Sequence, residues 1–258
     1  MSPTDPDLAP VAHVLDAVRR RQPLVHCLTA TVSMGFVADG LLAAGARPMM
    51  TETLQEAPAL TTLADALVIN LGTLSTDAMD GIPATVAAAV QDARPWVLDP
   101  TAIGIAPVRT PLARTLLDSR PDVVRGNASE VLALAGGGNG GRGADSLLGS
   151  ERAECAAEWI AARTGGAVAV SGPTDLVLSR TRRAQVERGT ALLSRVTGTG
   201  CLLAALTAAC RAVEADDVTA ALAATTWMAL AGETAEQRSI RPGSFRMHLL
   251  DALDEVGR

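Results

Sequence analysis

The sequence predicts an α/β fold: a three-layer α/β/α sandwich around a mostly parallel central sheet, in one domain spanning residues 1–258. Two observations predict it. Short runs rich in Val, Ile and Leu recur as continuous apolar stretches rather than alternating ones, as expected of strands buried on both faces. Helical stretches separate them, and strand–helix alternation builds a parallel sheet flanked by helices. No internal repeat or linker breaks the pattern, so one domain suffices. Residues 1–8, rich in Asp and Pro, are expected to be flexible.

Taken in order, residues 9–21 form an amphipathic helix with Val11, Val14, Leu15 and Val18 on one face. Arg19, Arg20 and Arg21 end it, where the helix dipole favours cations. Leu24-Val25-His26-Cys27-Leu28 is the first strand, residues 33–44 a helix stopped by Gly45, and Pro48-Met49-Met50 a second strand. A helix over 58–65 precedes the strand 66–71. A helix over 83–93 starts at Pro83, and Trp96-Val97-Leu98 is a strand ending at Asp99-Pro100. A helix over 112–119 leads to the strand 122–125, which ends at Gly126-Asn127, and Ser129 opens another helix. The glycine-rich segment 136–143 follows a helix rather than a strand, so it reads as a flexible loop and not a dinucleotide fingerprint. Then come a helix over 145–164, a strand 167–170 ending at Ser171-Gly172, and a hairpin. The hairpin pairs Leu176-Val177-Leu178 with Ala184-Gln185-Val186. Helices over 202–211, 217–238 and 244–256 close the chain.

Composition bounds the function. Hydrophobic residues make up 48% and charged residues 19%, enough for a sizeable core. With two Phe, three Trp and no Tyr, that core is built from Ala, Leu and Val. A net charge of −6 leaves no general basic footprint for nucleic acid. No apolar run reaches the roughly 20 residues of a membrane helix. The start of the chain has no signal-peptide pattern. Cys27, Cys155, Cys201 and Cys210 are scattered, with no Cys-x-x-Cys pair, so free thiols in a reducing cytoplasm are expected.

The chain's organising stretch is Val196-Thr197-Gly198-Thr199-Gly200-Cys201, directly before the helical run Leu202 to Arg211. Its glycines permit a sharp turn with exposed N–H groups, and a helix N-terminus adds about half a positive charge. That combination binds anions, phosphate above all. The plainer reading is a glycine-rich connection into a core helix. In parallel sheets ligands bind at the carboxyl ends of the strands. Asn70-Leu71-Gly72-Thr73, Asp99-Pro100-Thr101-Ala102, Arg125-Gly126-Asn127-Ala128-Ser129-Glu130 and Ser171-Gly172 all fall there. Together with the anion loop they supply the parts for metal-assisted phosphoryl transfer. Asp99 and Glu130 would hold Mg²⁺, an oxygen-preferring cation, directly or through water, and Arg125 would neutralise nucleotide phosphate. Each also has a plain structural role: Asp99 capping a turn, Asn127 or Ser129 capping a helix, Glu130 complementing its dipole, Arg125 in a surface ion pair. His26 reads as a satisfied core residue.

The sequence resembles the hydroxyethylthiazole kinases of thiamin salvage, within the ribokinase-like fold, from about Pro23 to Leu253. The motifs already quoted carry the resemblance, together with Phe36-Val37-Ala38, Gly40-Leu41-Leu42-Ala43 and Pro242-Gly243-Ser244-Phe245. It implies transfer of the ATP γ-phosphoryl group to the primary alcohol of 4-methyl-5-(2-hydroxyethyl)thiazole with Mg²⁺. It implies ATP contacts at Arg125 and Ser171, with Asn127 and Thr197 beside them, and substrate contacts at Met50, Gly198 and Cys27. Gly198, Thr199, Gly200 and Cys201 would form the catalytic turn. Cys201 stands where ribokinase relatives carry an aspartate base. At a helix N-terminus its thiol is expected to have a lowered pKa and to accept the alcohol proton, or else to fill space. The family implies a homotrimer with active sites between subunits. Three positions depart from its pattern: Ala30, Gly35 and Asp39 stand where Asn is usual, beside the expected alcohol pocket. Two other functions therefore stay open, a kinase of another hydroxyalkyl heterocycle and a non-catalytic sensor of small molecules.

Overall fold

The computed structural model describes residues 7–136 and 153–258. Among them the sheet has eight strands in the order β2-β1-β3-β4-β5-β6-β7-β8. They are β1 (Leu24–Leu28), β2 (Arg47–Met49), β3 (Ala66–Asn70), β4 (Trp96–Asp99), β5 (Val123–Asn127), β6 (Ala167–Ser171), β7 (Asp175–Leu178) and β8 (Arg183–Val186). Strands β1 to β6 run parallel, while β7 and β8 are antiparallel additions to β6. Register matters for the site: Asn70 pairs with Asp99 across β3 and β4, and Asn127 pairs with Ser171 across β5 and β6.

Alternate strand residues feed two cores. Val25, Val68, Val97 and Val123 meet α1 (Ala12–Arg21), α2 (Met34–Ala43), α8 (Thr199–Arg211), α9 (Asp217–Arg238) and α10 (Pro242–Glu255). Leu67, Ile69, Leu98 and Val124 meet α4 (Thr76–Gln91), α5 (Arg109–Leu116), α6 (Ala128–Leu134) and α7 (Glu154–Thr164). A short α3 (Ala57–Thr61) packs on α4. Each fully buried Leu, Ile or Val contributes about 1.5–3 kcal/mol through loss of apolar area from water. These residues make the expected three layers.

Several boundaries differ from the sequence reading, for physical reasons. Helix α4 begins at Thr76 and carries Pro83 inside it, because the Ser75 hydroxyl accepts the Ala78 N–H at 2.9 Å and caps the helix earlier. Strand β5 runs on to Asn127, since its last two residues pair with Val170 and Ser171. Leu8 is 1% exposed and packs in the first core, so the flexibility expected of residues 1–8 does not extend to Leu8; residues 1–6 lie outside the described residues. Residues 145–152 of the expected seventh helix, and 137–143 of the glycine-rich loop, lie outside the described residues.

Helices α2 and α8 approach closely at Gly40, where a Cβ would stand 2.4 Å from Leu202 Cδ1. Phe36 of α2 is buried beneath the Arg246 guanidinium of α10, 4.3 Å from the ring centroid. Arg246 of α10 thereby braces the helix whose Phe36 lies beside Gly198 of the glycine turn. Among the described residues no helix is long and apolar enough to cross a membrane.

Candidate active site

The polar ends of β3 and β4 form one buried network. Asp99 is 0% exposed and Asn70 4%. Asn70 Nδ2 donates to Asp99 Oδ2 at 2.7 Å and to Thr101 Oγ1 at 2.8 Å, and lies 3.4 Å from Cys201 Sγ. Asn70 Oδ1 accepts the Gly72 N–H at 2.9 Å, and Thr101 Oγ1 donates to Asp99 Oδ1 at 2.6 Å. Arg109 holds the turn after β3 by donating to the Gly72 carbonyl at 2.6 Å.

Arg125 projects from β5 into the same place. Its NH1 lies 3.6 Å from Asp99 Oδ2, and its NH2 donates to Ser171 Oγ at 2.8 Å. Its Nε is buried with no hydrogen-bond partner among the described residues. A Cβ on Gly200 would stand 2.7 Å from Arg125 NH1, so the guanidinium lies directly on the first turn of α8. Gly198 caps that helix at φ +95°, in the left-handed region. The amides of Thr199, Gly200 and Cys201 occupy the first turn, where no intrahelical acceptor exists. The Thr199 hydroxyl donates to the carbonyls of Leu193 and Val196 and so pins the turn rather than facing a ligand.

Glu130 belongs to α6 and is 3% exposed. Its carboxylate closes a capping box: Oε2 accepts the Asn127 N–H at 2.9 Å, while the Asn127 side chain accepts the Glu130 N–H at 3.0 Å. Its Oε1 accepts the Ala102 N–H at 2.8 Å. Burial first, then the Asp99 charge, pushes Glu130 up to about 7. Burial also pushes Asp99 up, against the opposing pull of Arg125, Thr101 and Asn70. Two buried carboxylates that repel each other beside an anion-binding turn suit a hard cation. Each carboxylate oxygen keeps acceptor capacity beyond the single bond described, so the donor set fits Mg²⁺.

The peptide presented to Glu130 is strained, since Ala102 sits at φ +59°. A left-handed Ala costs about 1–2 kcal/mol. We expect Ala102→Gly to raise the unfolding free energy by about 0.5–1 kcal/mol in urea titration. A loss of stability would mean that the methyl group packs productively.

The profile of the hydroxyethylthiazole kinase family matches residues 15–258. The chain belongs to the hydroxyethylthiazole kinase family. A hydroxyethylthiazole kinase of Kineococcus radiotolerans is 49% identical over 240 residues, covering 93% of this chain and 87% of the relative. The structure of the hydroxyethylthiazole kinase from Pyrococcus horikoshii matches with a TM-score of 0.87 at 36% identity, covering 95% of this chain and 93% of that one. A ribokinase-like superfamily protein from Enterococcus faecalis shares the fold with a TM-score of 0.67 at 14% identity, covering 95% and 94%. The fold is ribokinase-like.

The structure gathers Asp99, Glu130, Arg125, Ser171, Gly198, Gly200 and Cys201 at the strand ends, and places other expected residues differently. The Cys201 thiol is not lowered: burial, then the neighbouring Asp99 charge, pushes it up and outweighs the helix terminus. Cys27 is 1% exposed within the first core, and burial pushes its thiol up as well. Gly35 and Asp39 lie on the exposed face of α2, opposite buried Phe36, Val37 and Leu41. Within this chain they are not part of the strand-end network, and a Cβ on Gly35 would meet nothing within 4 Å. Of the three departures from the family pattern Ala30 is the one beside this network, where its Cβ packs against Gly72 next to Asn70. Thr29, just before it, keeps a buried hydroxyl with no partner among the described residues. Thr197 is exposed in the turn, and Asn127 spends its side-chain oxygen on capping. His26 is buried as expected, but only half satisfied: its Nε2 lies 2.9 Å from Thr51 O and Oγ1, which fixes the chain after Met50, while its Nδ1 has no hydrogen-bond partner among the described residues. Met50 follows edge strand β2, three strand spacings or about 14 Å from β4.

The sequence reading missed Thr101 as an Asp99 partner, and missed Asp175. The Asp175 carboxylate accepts the Gly172 N–H at 2.9 Å and so shapes the turn after Ser171. Burial pushes Asp175 up to about 6, above its unfolded value of 3.8. The folded state therefore holds this proton more tightly. The resulting stabilisation is complete below the unfolded value and is lost as pH rises through about 6. Asp175→Asn should flatten the decline in Tm between about pH 4 and pH 7. An unchanged slope would place Asp175 outside the titrating set.

Proposed function

We propose that this chain phosphorylates the primary alcohol of 4-methyl-5-(2-hydroxyethyl)thiazole, with ATP as donor and Mg²⁺ as the metal. The observation that carries the reading is Arg125 laid across the first turn of α8, joined at once to Asp99 and Ser171. A fixed guanidinium beside free helix amides is an arrangement for a polyphosphate in the act of transfer. Arg125 and Ser171 bind the nucleotide phosphates. The amides of Gly200 and Cys201 receive the charge that develops on the transferred group. Asp99 and Glu130 hold Mg²⁺, which when bound neutralises phosphate charge. Cys201, kept as a neutral thiol, borders the alcohol and does not take its proton, which passes late to an oxygen of the transferred phosphoryl group, since a loose transition state needs little base assistance. Asn127 and Thr197 flank the nucleotide, and Met50 and Gly198 contact the thiazole.

Met50 stands about 14 Å from β4 within one chain, which supports a trimer whose sites lie between subunits. Exposed Val32 and Leu42 on the α2 side are apolar surface for such contacts. The cytoplasm, where ATP is available and thiols stay reduced, is the matching compartment.

The test is Arg125→Gln. We expect the KM for ATP to rise at least about tenfold and kcat to fall, with the KM for the alcohol changed less. Unchanged ATP kinetics would overturn the phosphate assignment.

A further inference from the structure

Three acceptors crowd the Asn70 Nδ2 group: Asp99 Oδ2 at 2.7 Å, Thr101 Oγ1 at 2.8 Å and Cys201 Sγ at 3.4 Å. A carboxamide nitrogen has two hydrogens. The two oxygens are nearer and are stronger acceptors than a thiol sulfur, so they take both. The carboxamide has no freedom to flip, because Oδ1 accepts the Gly72 N–H at 2.9 Å. Flipping would turn NH₂ toward an N–H and oxygen toward a carboxylate. Thr101 completes the arrangement by accepting from Asn70 and donating to Asp99 Oδ1 at 2.6 Å. Asn70, Thr101 and Asp99 thus close a ring of three hydrogen bonds around one buried carboxylate.

We propose that Asn70 and Thr101 are positioning residues for phosphoryl transfer: together they clamp both oxygens of Asp99 and leave the Cys201 thiol outside the clamp. The inference rests on the kinase reading for its kinetic consequence but not for its geometry. Asp99 reaches its place at the end of β4, and the clamp removes the remaining rotation of its carboxylate. A shift of about 1 Å in such a group costs on the order of 10²-fold in rate. Deleting the Thr101 hydroxyl takes a donor from Asp99 Oδ1 and frees one Asn70 hydrogen to turn toward Cys201.

Thr101→Val preserves shape and removes the hydroxyl, whereas Thr101→Ser restores it. We expect the Val variant to lose about 10–100-fold in kcat, with KM for ATP and for the alcohol within about threefold of wild type. The Ser variant should return to within about threefold of wild type in kcat. Full turnover in the Val variant, or a Ser variant as slow as the Val one, would overturn the proposal. A second readout does not depend on turnover. In ¹H–¹⁵N spectra the Asn70 side-chain amide, assigned by its disappearance in Asn70→Ala, should be protected from exchange in the wild type and in Thr101→Ser. It should lose protection of one hydrogen in Thr101→Val. An Asn70 amide that exchanges in the wild type as fast as an exposed one would refute the clamp. If the wild type does not turn over the thiazole alcohol, the kinase reading falls and the exchange measurement alone decides the clamp.

Discussion

Replacing Asp99 with Asn will abolish most turnover, by about 10²–10³-fold in kcat, while the protein remains folded. The two side chains have nearly the same shape, so packing at the end of β4 survives. The chemistry does not, because a carboxylate that accepts from Asn70 and Thr101 and faces Arg125 becomes a group that must also donate. All three of these partners act as donors to it, so the new amide nitrogen turns its hydrogens either toward Asn70 Nδ2 and Arg125 or toward the Thr101 hydroxyl, which must then stop donating and accept. Removing one partner of a buried ion pair costs several kcal/mol when the other is left without compensation, but Arg125 keeps its bond to Ser171 and is 11% exposed. A fall in Tm of several degrees is therefore expected beside the much larger kinetic loss. Circular dichroism establishes the fold and ADP release the rate. A folded variant with wild-type kcat would remove Asp99 from the reaction.

Gly198→Ala comes second in expected effect, through a different cause. At φ +95° any side chain is strained, and the added Cβ would stand 2.8 Å from Ser33 Cβ and 3.2 Å from Phe36 Cδ1. Neither neighbour has room to retreat: Phe36 is buried under Arg246, and Ser33 is held by its bond to the Ala30 carbonyl. Strain of about 1–2 kcal/mol plus displacement of the turn moves the Gly200 and Cys201 amides away from their target. We expect a loss of about 10²-fold or more in kcat/KM, with Tm lowered by several degrees. The measurement is steady-state kinetics on the folded fraction. Wild-type kinetics would show that the turn does not set the position of the transferred group.

The strands and their polar ends were legible in the sequence because burial on both faces leaves a continuous apolar run, and a strand's last residue shows as the first polar one. Asn70, Asp99, Arg125 and Ser171 were found this way. Their contacts were not, because these depend on the register that sets Asn70 beside Asp99, and on Thr101 folding back after Pro100. The glycine turn was legible from its spacing, but the Cys201 ionisation was not. A helix terminus is visible in one dimension, whereas the burial and the Asp99 charge that oppose it come from distant segments. The outward face of Gly35 and Asp39 was readable in principle from the inward spacing of Phe36, Val37, Gly40 and Leu41. Pro83 misled because proline is favoured at a helix start, while the Ser75 cap eight residues earlier fixes the true one.

The most direct measurement is ADP release from ATP and Mg²⁺ with 4-methyl-5-(2-hydroxyethyl)thiazole, beside a panel of other hydroxyalkyl heterocycles. The strand-end site predicts release that depends on the thiazole alcohol, stops on chelation of the metal, and exceeds that with every other alcohol in kcat/KM. Release with none of them, from protein that still binds ATP, would contradict the account and leave a nucleotide-binding sensor in its place.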